Sequence, residues 1–394
     1  MKTLQKALLA LTLVTQFPLS ISAQEKDQQA WEKSPLSKFE SRNLPLSQSD
    51  TVDFQISWIP FIGTNGLHSG NVVNRVSFNV LGGYSAGTAS VELSGLFAVN
   101  RGNMQGVQLS GWFNHVGQAV DGVQLAGLFN SNLDQVKGVQ LAGLGNFTIG
   151  EVDGIQLAGV MNFSPKSVSG AQISGVLNFA GGEVEGMQLA GVGNFAAKNI
   201  KGSQLSLVNF ARKVDGFQLG LVNYADSVGG VPVGLISIVK NGYLAVEVGA
   251  TEILPLNLAI RSGKREFYTM LFAGIRPEIR SQAIWSFGYG VGTSPRLGQK
   301  TFLNIEGSTE QLSKGEVEAL NLISRLYVGG EWQLAKGMAI YAGPTLNFRV
   351  YEAGYAGHPE LFTYTQHKVR NERSYPDDIR SQWWTGFKAG FRFF

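Results

Sequence analysis

From about residue 91 to residue 239 the apolar and polar positions of the chain repeat in one short phrase. It reads GVQLSGWFN at 106–114, GVQLAGLFN at 122–130 and GVQLAGLGN at 138–146. It continues as GIQLAGVMN at 154–162, GAQISGVLN at 170–178 and GMQLAGVGN at 186–194. Two shortened copies follow, GSQLSLVNF from 202 and GFQLGLVNY from 216, with degenerate copies at 91–100 and 230–239. A period this regular is the signature of a repeat architecture. Gln108, Gln124, Gln140, Gln156, Gln172, Gln188 and Gln204 are spaced by 16 residues, and Gln218 follows after 14. An Asn series keeps step, from Asn114 through Asn194 and then, shortened, Asn209 and Asn223. Aliphatic residues recur after the Gln (Leu125, Leu141), two before the Asn (Leu128, Leu144) and in the connector (Val120, Val136).

Two structures use such a pattern: one coil of a β-solenoid per unit, or one strand plus one turn of a large membrane barrel. The shortened copies favour the solenoid. From Gln204 onward one residue is lost between Gln and Asn, yet the apolar positions on both sides stay in place. A deletion inside one strand would swap the faces of everything after it. The lost residue is therefore expected at a corner, where Gly is tolerated. Connectors of nearly constant length also suit stacked coils better than a porin. The expected coil encloses a thin core of stacked Leu and Val, with the Asn and Gln series as internal amide ladders. About ten coils at roughly 4.8 Å each make a rod on the order of 50 Å long.

Beyond the repeats, over 240–394, the pattern changes to longer alternating strands. At 284–291 Trp285, Phe287, Tyr289 and Val291 oppose Ser286, Gly288 and Gly290. At 340–351 Ile340, Leu346 and Phe348 oppose Tyr341, Asn347 and Arg349; at 383–394 Phe387, Phe391 and Phe393 oppose Lys388 and Arg392. Eight strands are expected, near 243–251, 255–262, 266–276, 283–293, 300–310, 318–333, 337–350 and 382–394. Apolar-out, polar-in alternation with aromatics near strand ends marks a membrane β-barrel; its rival is a soluble antiparallel sheet with one buried face. The connections near 262–265 and 334–337 are short, and that at 352–381 is long and polar. This is the loop asymmetry of an outer-membrane barrel whose C-terminus is periplasmic. The expected fold class is thus all-β, a short-coil solenoid followed by an antiparallel barrel.

The first residues modify this picture. Residues 1–23 read as a secretory signal peptide: Lys2 and Lys6, an apolar run at 7–14, and a small-residue cleavage site at 21–23. The run is far short of the ~20 residues that span a bilayer. Residues 24–52 read as a flexible polar lead-in, and 53–90 as strands leading into the array. The chain has no Cys, which removes disulfides, thiolate metal sites and thiol nucleophiles. A formal net charge of +3, without a basic patch carrying interleaved aromatics, speaks against nucleic acid as a partner.

The tandem GxQLAGxxN units, the GVPVGLISIVKNGY segment from 230, the strand-rich tail and the terminal Phe394 resemble a family of bacterial surface-repeat envelope proteins of Bacteroidetes and spirochaetes. The resemblance implies export and an outer-membrane or cell-surface location, and brings no catalytic residues with it. Phe394 also looks like an outer-membrane assembly signal, although by alternation it shares its face with Arg392 and Lys388.

Candidate chemistry is sparse. His358 and Glu360 are the one His–carboxylate pair at close spacing, and they read as solvated loop residues. Asp377 and Asp378 follow Pro376 as turn residues. Glu151 with Asp153, and Glu183 with Glu185, occupy repeat connectors and read as solvated corners. No catalytic, cofactor-binding or metal site is expected. The expected function is a non-enzymatic outer-membrane or surface protein with a structural or adhesive role, in contact with outer-membrane lipid and with a glycan or protein as a possible surface partner. The rivals are a transport pore, with repeats and tail forming one large barrel, and a polysaccharide-active β-helix enzyme, which needs clustered charges on one solenoid face.

Overall fold

The computed structural model describes residues 43–278, 282–363 and 365–394. It is all-β: a solenoid of about ten turns of parallel strands, then a closed eight-stranded antiparallel barrel. These are two separate sheets, so the repeats are not strands of one large barrel. The signal-peptide reading of 1–23 and most of the lead-in lie outside the described residues.

One coil shows how the repeat folds. The strand Val120–Ala126 turns at Gly127 and Leu128 into the strand Phe129–Asn132 and returns through 133–135. Each position pairs in parallel with its equivalent in the next coil, as Val136 pairs with Val120 and Val152, and Asn130 with Asn114 and Asn146. Gly122 and its equivalents adopt positive φ, 145° at Gly122 and Gly154. A Cβ at Gly154 would stand 1.9 Å from Gly138 O, so this column is open only to glycine.

The core is not the expected one. Of the three aliphatic columns only the connector faces inward; Val120, Val136, Val152, Val168, Val184, Ile200 and Val214 are buried. The Leu after each Gln and the aliphatic two before each Asn lie outside; Leu109, Leu157, Trp112 and Leu128 are exposed. Alternation along the strand puts Gln124 inside and therefore Leu125 outside. The interior is filled by Gln and Asn, with small residues such as Ala158 and Ser174 beside them.

The two amide ladders are present, and each has a direction. Every Gln Nε2 donates to the Gln Oε1 of the preceding coil, from Gln218 to Gln204 through Gln124 to Gln108, at 2.8–2.9 Å. Every Asn Nδ2 donates the other way, from Asn114 to Asn130 through Asn209 to Asn223, at 2.8–3.0 Å. Its second hydrogen goes to a main-chain oxygen at the next corner, as from Asn146 to Leu157 O at 2.9 Å. Along both rows each buried amide nitrogen thereby donates inside the sheet stack, as burial requires, while the oxygens at the accepting ends, Asn114 Oδ1 and Gln218 Oε1, receive no bond. The rows end on residues suited to it: Glu92, which only accepts when ionised, receives Gln108, and Ser237 Oγ receives Asn223.

The contraction falls at the corner. Leu205 pairs with Leu189 and Val208 with Gly193. Ser206 and Leu207 thus stand where the preceding coil has Ala190, Gly191 and Val192.

Residues 53–90, expected as simple leading strands, are the solenoid's first coils. Asp50–Ile59 pairs in parallel with Val72–Asn79, which pairs with Gly87–Ser94; Gly82–Ser85 is the short return strand. The end of the lead-in packs as well, Leu44 N donating to Asn71 Oδ1 and Arg101 Nη2 to Leu44 O. The last residues of the first edge strand, 56–59, are covered by Ile62–Gly63, which folds back antiparallel, and by Thr64, whose Oγ1 accepts from Ile56 N. Covering a terminal coil removes an edge that would otherwise recruit another strand.

The barrel strands are Tyr243–Thr251, Leu256–Gly263, Tyr268–Arg276, Ile284–Thr293, Thr301–Lys314, Asn321–Ala335, Met338–Glu352 and Ile379–Phe393, closed by pairing of the first with the last. They match the eight expected from sequence within a few residues. The long connection adds a short strand, Asn371–Ser374, beside the last one.

Candidate membrane-facing wall and barrel lumen

Alternation sorts every barrel strand into an outer and an inner row. On Asn321–Ala335, Leu326, Val328 and Trp332 point out and are exposed, while Ile323, Arg325, Tyr327 and Glu331 are buried within. The outer row from Leu322 to Trp332 spans ten residue intervals; at ~3.3 Å each and a tilt near 40° it rises roughly 25 Å, the height of an outer-membrane apolar band. Trp332 and Phe393 stand near the short-turn rim, and Trp285 and Trp383 toward the other. Two outward hydroxyls, Thr309 and Ser324, bond to each other at 3.1 Å, so neither needs water.

The lumen is the converse. Glu247 accepts from Arg261 Nε and Arg392 Nε, each at 2.9 Å, and pairs with Lys388 at 3.0 Å. Glu306 pairs with Arg261 at 2.7 Å and Arg392 at 3.0 Å, and accepts from Tyr268 OH at 2.9 Å. Arg392 Nη1 reaches Glu331 and Asn304 Oδ1. The Arg261 and Arg392 side chains are wholly buried. Arg265, from the turn between the second and third strands, pairs with Glu331 at 3.0 Å, so three carboxylates meet four cations. Farther along, Arg325 pairs with Glu310 and donates to Asn347 Oδ1.

The long-loop end is stoppered. Trp384, Ile253, Leu254, Ile284, Leu312, Ile323 and Leu361 form an apolar cluster, with Phe362 packed against it. Arg276 Nη1 ties Ile253 O to Leu361 O at 3.0 Å each, holding the long connection across the mouth. Glu252, buried there, accepts from Trp384 Nε1 and Phe387 N. Sequence alternation placed Lys388 and Arg392 correctly, but not this plug, because Leu361 and Phe362 sit in a stretch of polar composition.

The sequence candidates do not assemble into a reactive centre. His358 faces Glu352 O and lies edge-on to Tyr351 and Tyr355, whereas Glu360 offers its main-chain oxygen to Arg276. Asp377 and Asp378 both take positive φ in a turn. Glu183 accepts from Asn199, and Glu185 pairs with Lys201 in the neighbouring coil, so these connector carboxylates are spent on partners along the rod. Among the described residues no three His, Asp or Glu side chains are gathered as metal ligands, and no helix is long and apolar enough to cross a membrane.

No protein-family model, curated protein or solved structure matches the chain. The surfaces themselves therefore carry the functional reading.

Proposed function

We propose that the chain is a non-enzymatic outer-membrane protein whose C-terminal barrel is its membrane anchor and whose solenoid has a structural or binding role. One observation carries this reading: the barrel is inside out. Charge and amide groups are sealed within it, and a ring of Leu, Val, Ile and Phe is left outside. In water that ring costs roughly 25 cal/mol per Å² of apolar surface, a cost that lipid removes. A closed barrel has no strand edge, which is what a spanning β-structure needs in hydrocarbon. The charged network and the Leu361–Trp384 stopper fill the lumen, which favours an anchor over a transport pore. Residues 1–23 and the resemblance to surface-repeat envelope proteins support export. Membrane fractionation of cells, with gel migration of heated and unheated samples, tests the proposal. The expected product is in the outer membrane and migrates differently after heating; a soluble product without a heat shift overturns it.

A further inference from the structure

The solenoid has its own apolar surface, and its position on the barrel says what covers it. In most coils the outward positions next to the Gly–Leu corner are apolar, as with Val123 and Leu125 before it, Leu128 in it and Phe129 after it; Ser203, Gly145 and Gly193 are exceptions. The opposite corner carries the charges, with Asp121, Asp134 and Gln135 in the same coil and Lys137 in the next, beside the exposed Leu133 and Ile149. Because the coils stack in register, these positions become continuous columns along the rod, and they include the stacked pair Phe97–Phe113, with ring centroids 5.4 Å apart. From Val123 to the corner is four residues, or about 13 Å at ~3.3 Å each. Two flanks of that depth along roughly 50 Å make an apolar area on the order of 1,000 Å², above the 300–600 Å² of the largest patch on an ordinary soluble monomer.

The last coil is fastened to the outer wall of the barrel through its open edge. Ser237 N donates to Ser262 Oγ at 3.0 Å, Thr269 Oγ1 to Leu235 O at 3.4 Å, and Tyr289 OH to Gly234 O at 3.0 Å. Ser262, Thr269 and Tyr289 belong to the second, third and fourth barrel strands. The edge strand, Pro232–Val239, therefore crosses the barrel strands, and the rod projects outward from the wall. Pro232 replaces the Gln and offers no N–H, as befits a terminal strand.

The vertical placement is the deciding point. The polar end of this coil sits at the rim: Lys264, in the tight turn between the second and third strands, reaches Gly229 O and Gly230 O at 3.4 and 3.5 Å. The apolar corner points away from the rim, with Leu235 sharing an apolar cleft of about 790 Å³ with Leu271, Phe287 and Val291 of the wall. The solenoid's apolar columns thus continue the barrel's apolar wall at the same level, and its charged corner is level with the short turns.

We infer that the solenoid is a membrane-embedded beam, lying in the leaflet on the short-turn side with its Gly–Leu corner among the acyl chains and its charged corner in water. This rests on the barrel spanning a bilayer. The ~13 Å apolar depth fits half of a ~30 Å hydrocarbon core. Nothing in the beam needs to cross, and its main-chain groups are already paired between coils, so hydrocarbon meets no open edge along its length. Short turns lie on the periplasmic side of bacterial barrels, which places the beam in the inner leaflet of the outer membrane. The protein then acts on lipid over an area larger than its anchor, and contacts with an outside partner fall to the long-loop face.

The chain has no Cys, so single-Cys variants of the full chain carry one environment-sensitive fluorophore each. Leu128→Cys and Leu144→Cys report the apolar corner, Asp134→Cys the polar corner and Leu326→Cys the barrel wall, all in phosphatidylcholine vesicles with and without a quencher on the acyl chains. The expected result is quenching at residues 128 and 144 comparable to that at 326 and at least threefold above that at 134. Corner quenching no greater than at 134, with 326 still quenched, overturns the beam and leaves the barrel reading intact. No quenching at any position overturns the barrel reading and the beam with it. Corner labels that miss the lipid quencher but self-quench between copies point to a second chain on this surface and also overturn the inference.

Discussion

Gln108 Nε2 donates to Glu92 Oε2 at 2.9 Å, and with that bond the row of glutamine amides ends on an acceptor. Burial pushes the Glu92 carboxyl above the ordinary carboxylate range, while hydrogen bonds from Gln108, Thr88, Asn100 and Asn79 pull the other way. The folded state therefore holds this proton more tightly than the unfolded chain does. The resulting stability is present in full below the unfolded pKa and is lost as pH rises through the folded one. Glu92→Gln, which does not titrate, is expected to remove this slope. Thermal melts of both chains in detergent from pH 4 to pH 8 check it; a stability difference that does not change with pH contradicts it.

The amide core gives a ranking opposite to that of an ordinary hydrophobic core. Asn162 donates to Asn178 Oδ1 and Ile173 O and accepts from Asn146 Nδ2. Asn162→Ala leaves those groups buried and unpaired, at ~1–3 kcal/mol each, so a loss of about 3 kcal/mol or more is expected. Leu157 lies outside, and Leu157→Ala in detergent should cost under about 1 kcal/mol. Denaturant titrations followed by circular dichroism compare the two, and the reverse order would contradict the assignment of inside and outside.

At Gly154 a methyl group meets the main chain of the coil behind it, with Gly138 O at 1.9 Å, at a φ of 145°. Strained backbone and overpacking each cost ~1–3 kcal/mol. Gly154→Ala is expected to destabilise the solenoid by roughly 3 kcal/mol or more, visible as a lower melting midpoint. A change within about 0.5 kcal/mol, typical of a neutral surface site, would show that the coils do not stack this closely.

Arg392 contacts Glu247, Glu306 and Glu331 at once. Removing one member of a buried charge pair costs ~3–5 kcal/mol, because the partner stays buried without compensation. Arg392→Ala is therefore expected to unfold the barrel at a lower temperature, shown by earlier loss of the fast-migrating band of unheated protein. An unchanged transition would contradict the burial of Arg392 among these carboxylates.

Much of this architecture can be read from the sequence, and each misreading has a physical cause. The 16-residue period and the contraction at Ser206 place coils and corner correctly, because a period of two cannot absorb a one-residue loss within a strand. Alternation shows that Gln124 and Leu125 face opposite ways, but it does not say which way is in. Assigning Leu to the core assumes water outside and a core without partners for amides. Here the amides of each row find partners in neighbouring coils and fill the interior themselves, which leaves the Leu columns outside. In the barrel, Lys388 and Arg392 broke that symmetry and gave the correct faces. The first coils look like plain strands in the sequence because Gln55, Ser57, Ser77 and Asn79 fill the interior without repeating the phrase. The stopper is not legible in the sequence, since Leu361 and Trp384 are brought together only by closure of the barrel.

The central claim is that the barrel's apolar wall faces lipid and its charges face one another. A scan of single labelled Cys residues along Leu322–Tyr327, in vesicles bearing an acyl-chain quencher, tests it directly. Quenching should alternate with period two, strong at 322, 324 and 326 and weak at 323, 325 and 327. Uniformly weak quenching across the six positions would contradict it.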